Sequence, residues 1–158
     1  MSAVVNRPRN SCKALVFNEN KVLTIRRRFE SVVFYVLPGG GQLLEETFHD
    51  ALIRECEEEI GIAPKEIMDL VLIREFIGKN HEFPGRKATH QIEYMFLCKI
   101  DKDKIKNGNN VDEWQEGIEW IELDQLKEKN FFPKGIIEML KEINNGKYNG
   151  NIYLGDMN

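Results

Sequence analysis

Residues Gly40 to Ile62, GGQLLEETFHDALIRECEEEIGI, preceded by Leu37-Pro38-Gly39, decide how this chain is read. Proline followed by three glycines makes a turn in which ordinary side chains would clash, and a helical pattern begins directly after it. At about 100° per residue, Glu55, Glu58 and Glu59 fall within one arc of roughly a quarter turn. Phe48, Ala51 and Leu52 share that side, so the three acids border the buried face. Glu57, Asp50 and Glu46 point to the far side, as a solvated surface should. Like charges at i, i+3 and i, i+4 repel by roughly a few tenths of a kcal/mol per pair, and by more once desolvated. A divalent cation relieves that repulsion, because hard ions such as magnesium take carboxylate and carbonyl oxygens. The run Glu57-Glu58-Glu59 taken alone favours the blander alternative, an acidic solvated helix.

The spacing of the whole stretch reverses that balance. Gly40, Glu46, Arg54, Glu55, Glu58, Glu59, Gly61 and Ile62 follow the order Gly, five residues, Glu, seven residues, Arg-Glu, aliphatic, any, Glu-Glu, any, Gly, aliphatic. On these residues the chain resembles the Nudix hydrolases, the MutT-like family. Cys56 departs from the pattern, standing where an aliphatic residue is usual, and it packs as a small apolar side chain. The resemblance implies an α/β fold, a Nudix-type α/β/α sandwich with a mixed sheet. It also implies water attack on phosphorus, splitting the diphosphate linkage of a nucleoside diphosphate joined to another moiety. Magnesium, with manganese as the alternative, would be held by Glu55, Glu58 and Glu59, with the Gly40 carbonyl as a further oxygen ligand. Bound metal neutralises phosphate oxygens and acidifies water. The resemblance further implies that Arg54 pairs with and orients a carboxylate of this Gly40–Ile62 stretch, the family's box; negative charge is favoured near a helix start, so a structural role is the expectation for Glu46.

Composition sets the outer limits. A chain of 158 residues with 42% hydrophobic and 30% charged content reads as one globular domain spanning residues 1–158. A formal net charge of −4 argues against extended nucleic-acid binding. Cys12, Cys56 and Cys98 are odd in number and lack a CxxC pattern, so they read as reduced thiols of a cytoplasmic protein. There is no 18-residue apolar run and no signal peptide, hence no expected membrane contact. A homodimer is a further expectation from the resemblance.

In order along the chain, the first ten residues read as loose. Strands follow at Ser11–Phe17, Lys21–Arg27 and Val32–Leu37, with Asn18-Glu19-Asn20 as a hairpin turn. The helix spans Glu46 to Ile60 and stops at Gly61. Ile67–Ile77 and Gln91–Ile100 are strands joined by a polar loop containing Pro84-Gly85-Arg86-Lys87. Lys102–Asn110 reads as a surface excursion and Gly117–Leu123 as a returning strand. Asp124 caps a short helix over Gln125–Lys129. Ile136, Ile137, Leu140 and Ile143 mark a second amphipathic helix, and Ile152-Tyr153-Leu154 an edge strand. A mixed sheet between helices follows from this alternation.

The general base is drawn in the family from the box helix or a later loop, so Glu55, Glu113 and Glu116 are candidates. Glu55, Arg54, Glu58, Glu59 and Glu116 form the candidate catalytic set. Glu93 sits in an apolar strand, where a carboxylate is costly unless metal, substrate or an arginine pairs with it. It joins Arg27 and Tyr35 as candidate substrate contacts. Arg27 faces opposite to Arg26 and Arg28 by strand alternation. Phe34, Tyr35 and Trp114 are aromatic enough to stack a base, although buried aromatics are normally core. His49, His81 and His90 are too scattered for zinc, and no Lys-Ser or Lys-Thr follows the glycines as in a P-loop. A non-catalytic Nudix-fold regulatory module is the alternative function, disfavoured because every box carboxylate is present.

Overall fold

In a computed structural model describing residues 7–85 and 88–158, nine strands and two α-helices alternate. The strands are β1 (Arg9–Leu15), β2 (Phe17–Asn18), β3 (Lys21–Phe29), β4 (Val32–Val36), β5 (Gly39–Gly41), β6 (Glu66–Ile77), β7 (His90–Lys99), β8 (Gln115–Glu122) and β9 (Tyr153–Asp156). The helices are α1 (Phe48–Ile60) and α2 (Ile137–Asn144). One mixed sheet runs β5-β1-β7-β6-β9, with β1 parallel to β7 and antiparallel to β5. A second, antiparallel sheet places β3 between β4 and β8 and pairs it with β2.

Strand alternation divides the core in two. Cys12 and Ala14 of β1 and Phe96 and Cys98 of β7 pack on Ala51, Leu52, Cys56 and Ile60 of α1. Leu15, Leu72 and Met95 face the other way, onto Ile137, Leu140 and Ile143 of α2. The mixed sheet therefore carries a helix on each face, the α/β/α arrangement read from the sequence. Toward one end of the α2 face, apolar residues give way to Arg9, Ser11 and Lys13 on β1, and a cavity opens there.

Helix α1 begins two residues later than the periodicity suggests. Thr47 is the N-cap: its hydroxyl accepts from the Asp50 N–H at 3.1 Å, and Asp50 accepts from the Thr47 N–H at 2.9 Å. This capping box satisfies two otherwise orphaned donors, so Glu46 is released from the helix. At the other end Gly61 takes φ 75°, a left-handed conformation suited to glycine. Three other expectations change. The Gly39–Gly41 turn is a strand, paired residue by residue with β1. Gln125–Lys129 is no helix; a 3₁₀ turn at Leu123–Gln125 leads into turns, too few residues to offset helix nucleation. Residues 1–6, Arg86 and Lys87 lie outside the described residues, and β1 already begins at Arg9.

Lys102–Asn110 is not a free excursion either. The Lys106 N–H donates to the Ile60 carbonyl at 3.0 Å, the Gly108 N–H to the Glu59 carbonyl at 3.3 Å, and Gln115 Nε2 to Glu59 at 3.0 Å. Carbonyls in the last turn of a helix lack intrahelical partners, and this segment supplies them. A Cβ on Gly108 would lie 1.8 Å from the Glu58 carbonyl oxygen, so only glycine permits the approach. Gly108→Ala is expected to lower the unfolding free energy by roughly 1–3 kcal/mol. Urea unfolding checks this, and an unchanged midpoint would show that the segment is not seated on the helix end.

Candidate active site

The cavity has a volume of about 330 Å³ and lies between the two sheets. Its floor is a set of cross-strand rows. Arg9, Gln91 and Phe76 form one; Gly41, Ser11, Glu93 and Arg74 form the next. Arg27, Phe34 and Val36 of the second sheet face them. The acids of α1 reach the same space past β5. Their exposure falls in step around the helix: the side chains of Glu58, Glu55 and Glu59 are 31%, 14% and 5% exposed. Glu57 faces solvent.

Glycine at β5 makes this reach feasible. A Cβ on Gly40 would lie 2.5 Å from the Glu55 carboxylate. Glu59 accepts from the Gly39 N–H at 3.1 Å. The carbonyls of Gly39 and Gly41 meet cations, Lys13 Nζ at 3.3 Å and Arg54 Nη2 at 2.8 Å. Successive carbonyls of a strand alternate in direction, so these two, rather than Gly40, offer backbone oxygens on this side. Gly40 instead supplies the bare Cα surface against which Glu55 lies.

Arg54 ties the box together. It donates to Glu46 at 2.6 and 3.0 Å, and its Nη1 reaches Glu55 at 2.8 Å and Glu58 at 3.5 Å. Glu46 thus turns toward the site, contrary to helix phasing, because it precedes the N-cap. Arg54 and the Leu43 N–H hold its carboxyl down at about 2. Among the described residues no three His, Cys, Asp or Glu side chains already converge as a metal cage. A single guanidinium nitrogen bridges Glu55 and Glu58. The donor set nevertheless fits a hard dication: carboxylate oxygens of Glu55 and Glu58, with neighbouring carbonyls of the glycine strand.

Glu59 is the deepest acid. Burial pushes its pKa up to about 7, although Lys13, Arg27 and the Gly39 N–H all pull it down. Arg27 is itself buried, with Nη2 3.3 Å from Glu59 and Nη1 3.0 Å from Asp112. Its Nε has no partner among the described residues. Glu93 is buried but paired: Arg74 Nε donates at 2.6 Å and Gln91 Nε2 at 2.9 Å. Burial would raise this carboxyl, yet Arg74, Lys13 and the hydrogen bonds outweigh it and bring it to about 2.

Two candidate residues lie elsewhere. Tyr35 packs into the core with Leu37, Phe131 and Ile136, because alternation along β4 turns Phe34, not Tyr35, to the cavity. Glu116 is held by Arg26 at 2.9 Å and by Arg28, on the strand face opposite Arg27, and does not line the cavity. The loop acid that does is Asp112, four residues earlier; Glu113 does not line it. Trp114 packs edge to face on Phe29 at 4.8 Å. Lys13, Ser11, Arg74, Gln91 and Asp112 were not singled out from sequence. The alternation of Arg9, Ser11 and Lys13 was the available signal, but a solvated strand face has the same pattern.

Comparison with known proteins agrees with this geometry. The model of the NUDIX domain matches residues 7–142. An ADP-ribose pyrophosphatase of Methanocaldococcus jannaschii is 27% identical over 143 residues, 88% of this chain and 76% of that protein. A MutT NUDIX hydrolase from Burkholderia pseudomallei superposes with a TM-score of 0.56 at 26% identity, over 75% of this chain and 85% of the other. A NUDIX hydrolase from Nitrosomonas europaea shares the fold, with a TM-score of 0.68 at 18% identity, over 95% and 80% of the two chains. The chain belongs to the Nudix family and is a hydrolase of that class, a pyrophosphohydrolase acting on phosphoric anhydride bonds. No helix among the described residues is long and apolar enough to cross a membrane.

The Glu93–Arg74 pair makes stability pH-dependent in a defined window. A carboxyl depressed from 4.5 to about 2 contributes fully above pH 4.5, and that contribution disappears as pH falls toward 2. Glu93→Gln is expected to remove this part of the acid sensitivity. Leaving buried Arg74 without its carboxylate should also lower stability at neutral pH by roughly 3–5 kcal/mol. Unfolding titrations across that window decide it; parallel pH profiles for the two proteins would exclude the pair as the cause.

Proposed function

We propose that this enzyme cleaves the diphosphate of a nucleoside diphosphate carrying a further group, using magnesium or manganese bound at Glu55, Glu58 and Glu59. The observation that carries this reading is the pair Glu55 and Glu58, bridged by one Arg54 nitrogen at the rim of the cavity. Five acids and four bases line the described part of that cavity. Such a near-balanced lining becomes net positive once a dication is present, which suits a polyanionic diphosphate. Bound there, the metal would neutralise phosphate oxygens and make water a better nucleophile.

The chain's own residues do the rest. Arg54 sets the carboxylate rotamers, anchored by Glu46 and the Gly41 carbonyl. Lys13 and Arg9, on the β1 face beside the glycine strand, are placed to meet phosphate oxygens. Asp112 accepts from Arg27 through one oxygen. Its second oxygen has no partner among the described residues, so it replaces Glu116 as the loop acid suited to take a proton from the attacking water. ADP-ribose, after which the archaeal relative is named, belongs to the proposed substrate class. The free thiols Cys12, Cys56 and Cys98 support a reducing compartment such as the cytoplasm.

Hydrolysis of ADP-ribose, nucleotide sugars, nucleoside triphosphates and RNA 5′-triphosphate with magnesium, read as phosphate released after phosphatase treatment, tests the reading. At least one should turn over, and chelation should abolish it. Glu58→Gln and Glu59→Gln are each expected to lower kcat about a hundredfold or more with the fold retained, while Glu57→Gln leaves it unchanged. Equal losses at all three positions would contradict the placement of the acids. Magnesium alone should raise the melting temperature, because it relieves carboxylate repulsion. Unchanged melting at millimolar metal would oppose that.

A further inference from the structure

The edge of the five-stranded sheet farthest from the box acids is closed by β9, which lies beyond residues 7–142 matched by the NUDIX domain model. Its pairing with β6 is interrupted by one extra residue. Tyr153 is level with Ile73 and Asp156 with Glu75, so three steps on β9 span two on β6. Gly155 takes φ 73° within this bulge, a left-handed conformation that glycine adopts without strain. Side chains three apart on a regular strand point to opposite faces, and a bulge resets that alternation. Asp156 is thereby turned onto the chain that leaves β6.

There it collects three donors from one turn. The Ile77 N–H donates to Oδ1 at 3.0 Å, Asn80 Nδ2 donates to Oδ2 at 2.9 Å, and His81 Nε2 lies 2.6 Å from Oδ1. The Asp156 and His81 side chains are 26% and 20% exposed, so solvent only partly screens the contact. Desolvation pushes this carboxyl up, yet the bonds from Asn80, Ile77 and His81 outweigh it and hold it at about 2. Asn158 Nδ2 adds a bond to the Glu82 carbonyl at 3.3 Å. The neighbouring acid Glu75 does not compete for these donors, because Tyr153 Oη and His90 Nε2 occupy its two oxygens. The anchored turn leads to the cavity. His81 stacks on Phe76 at 5.5 Å, and Phe83, two residues on, reaches Phe34 at 5.3 Å and Phe132 at 4.8 Å. Phe76 belongs to one sheet and Phe34 to the other, so the turn spans the gap between them and forms an aromatic wall of the cavity.

We propose that Asp156 is a positioning residue: by pinning the turn at residues 77–83 it fixes the aromatic wall, and with it the spacing of the two sheets around the substrate. The inference rests on the cavity being the hydrolytic site. Its kinetic consequence follows from distance. Strands β9 and β5 are opposite edges of the sheet, four strand spacings or roughly 19 Å apart. The box acids enter past β5, so a loosened turn leaves their geometry alone and changes only how often the wall is in place. When the competent fraction falls, apparent affinity falls with it. The carboxylate therefore acts on KM and not on kcat.

Amide hydrogen exchange and steady-state kinetics of Asp156→Ala, measured with the compound turned over in the screen above, test this. Residues 77–83 should exchange about tenfold faster while α1 keeps the parental rate, which marks local and not global opening. KM should rise about fivefold or more, with kcat within about twofold of the parent. Asp156→Asn keeps an oxygen for the Ile77 N–H and should recover part of both effects. Tyr153→Phe removes a bond on the same strand without touching Asp156 and should change neither. Parental exchange at residues 77–83 in Asp156→Ala, an equal rise in KM in Tyr153→Phe, or a loss confined to kcat overturns the proposal. If none of the compounds turns over, faster exchange confined to the turn retains the anchor while the hydrolytic reading fails. Turnover accompanied by parental exchange has the opposite meaning.

Discussion

Everything at this site depends on a strand without side chains. Helix α1 packs beneath the face of the mixed sheet that carries Cys12 and Ala14, whereas the cavity opens on the other face. Carboxylates on that helix reach the cavity only past the β5 edge. Three consecutive glycines leave that edge bare, and the contact is tight enough that one methyl at Gly40 would strike Glu55. The same strand supplies an N–H to Glu59 and carbonyls to Lys13 and Arg54, so its backbone serves as both edge and polar lining.

Burial is graded across the three acids, and each level is balanced differently. Glu58 and Glu55 are accessible and share a cation with Glu46. Glu59 lies deeper, where desolvation outweighs Lys13 and Arg27 and its pKa rises. Arg27 connects that acid to Asp112, and the segment from Lys106 to Gln115 is bonded to the carbonyl end of the same helix. The loop carrying Asp112 is thereby referenced to the box helix instead of hanging free. Glu93 shows the opposite resolution of a buried carboxylate. Buried to the same degree, it is matched so closely by Arg74 that its acidity increases.

Much of this architecture was legible in the chain. Period-two strands, the helix stopped by Gly61, the inward arc of Glu55, Glu58 and Glu59, and the inward turn of Arg27 all follow from local geometry. Glu93 in an apolar strand announced a partner, and Arg74 is that partner. The errors have local causes too. Tyr35 and Phe34 are equally aromatic, and only the register of β4 selects between them. Glu116 and Asp112 are both loop-side acids, but a β-bulge at Arg26/Arg27 and the anchoring of residues 106–115 decide which one enters.

By itself the sequence determined the chemistry that could be assembled: a spacing of glycine, arginine and acids that local backbone rules convert into one helix face beside one bare turn. Tertiary structure alone decided which groups share a space. The floor row Gly41, Ser11, Glu93 and Arg74 draws on four strands far apart in the chain, and the aromatic wall on segments as distant as Phe34 and Phe132. Periodicity reports the direction in which a side chain points, but strand order and register determine what it meets, and those arise from long-range pairing.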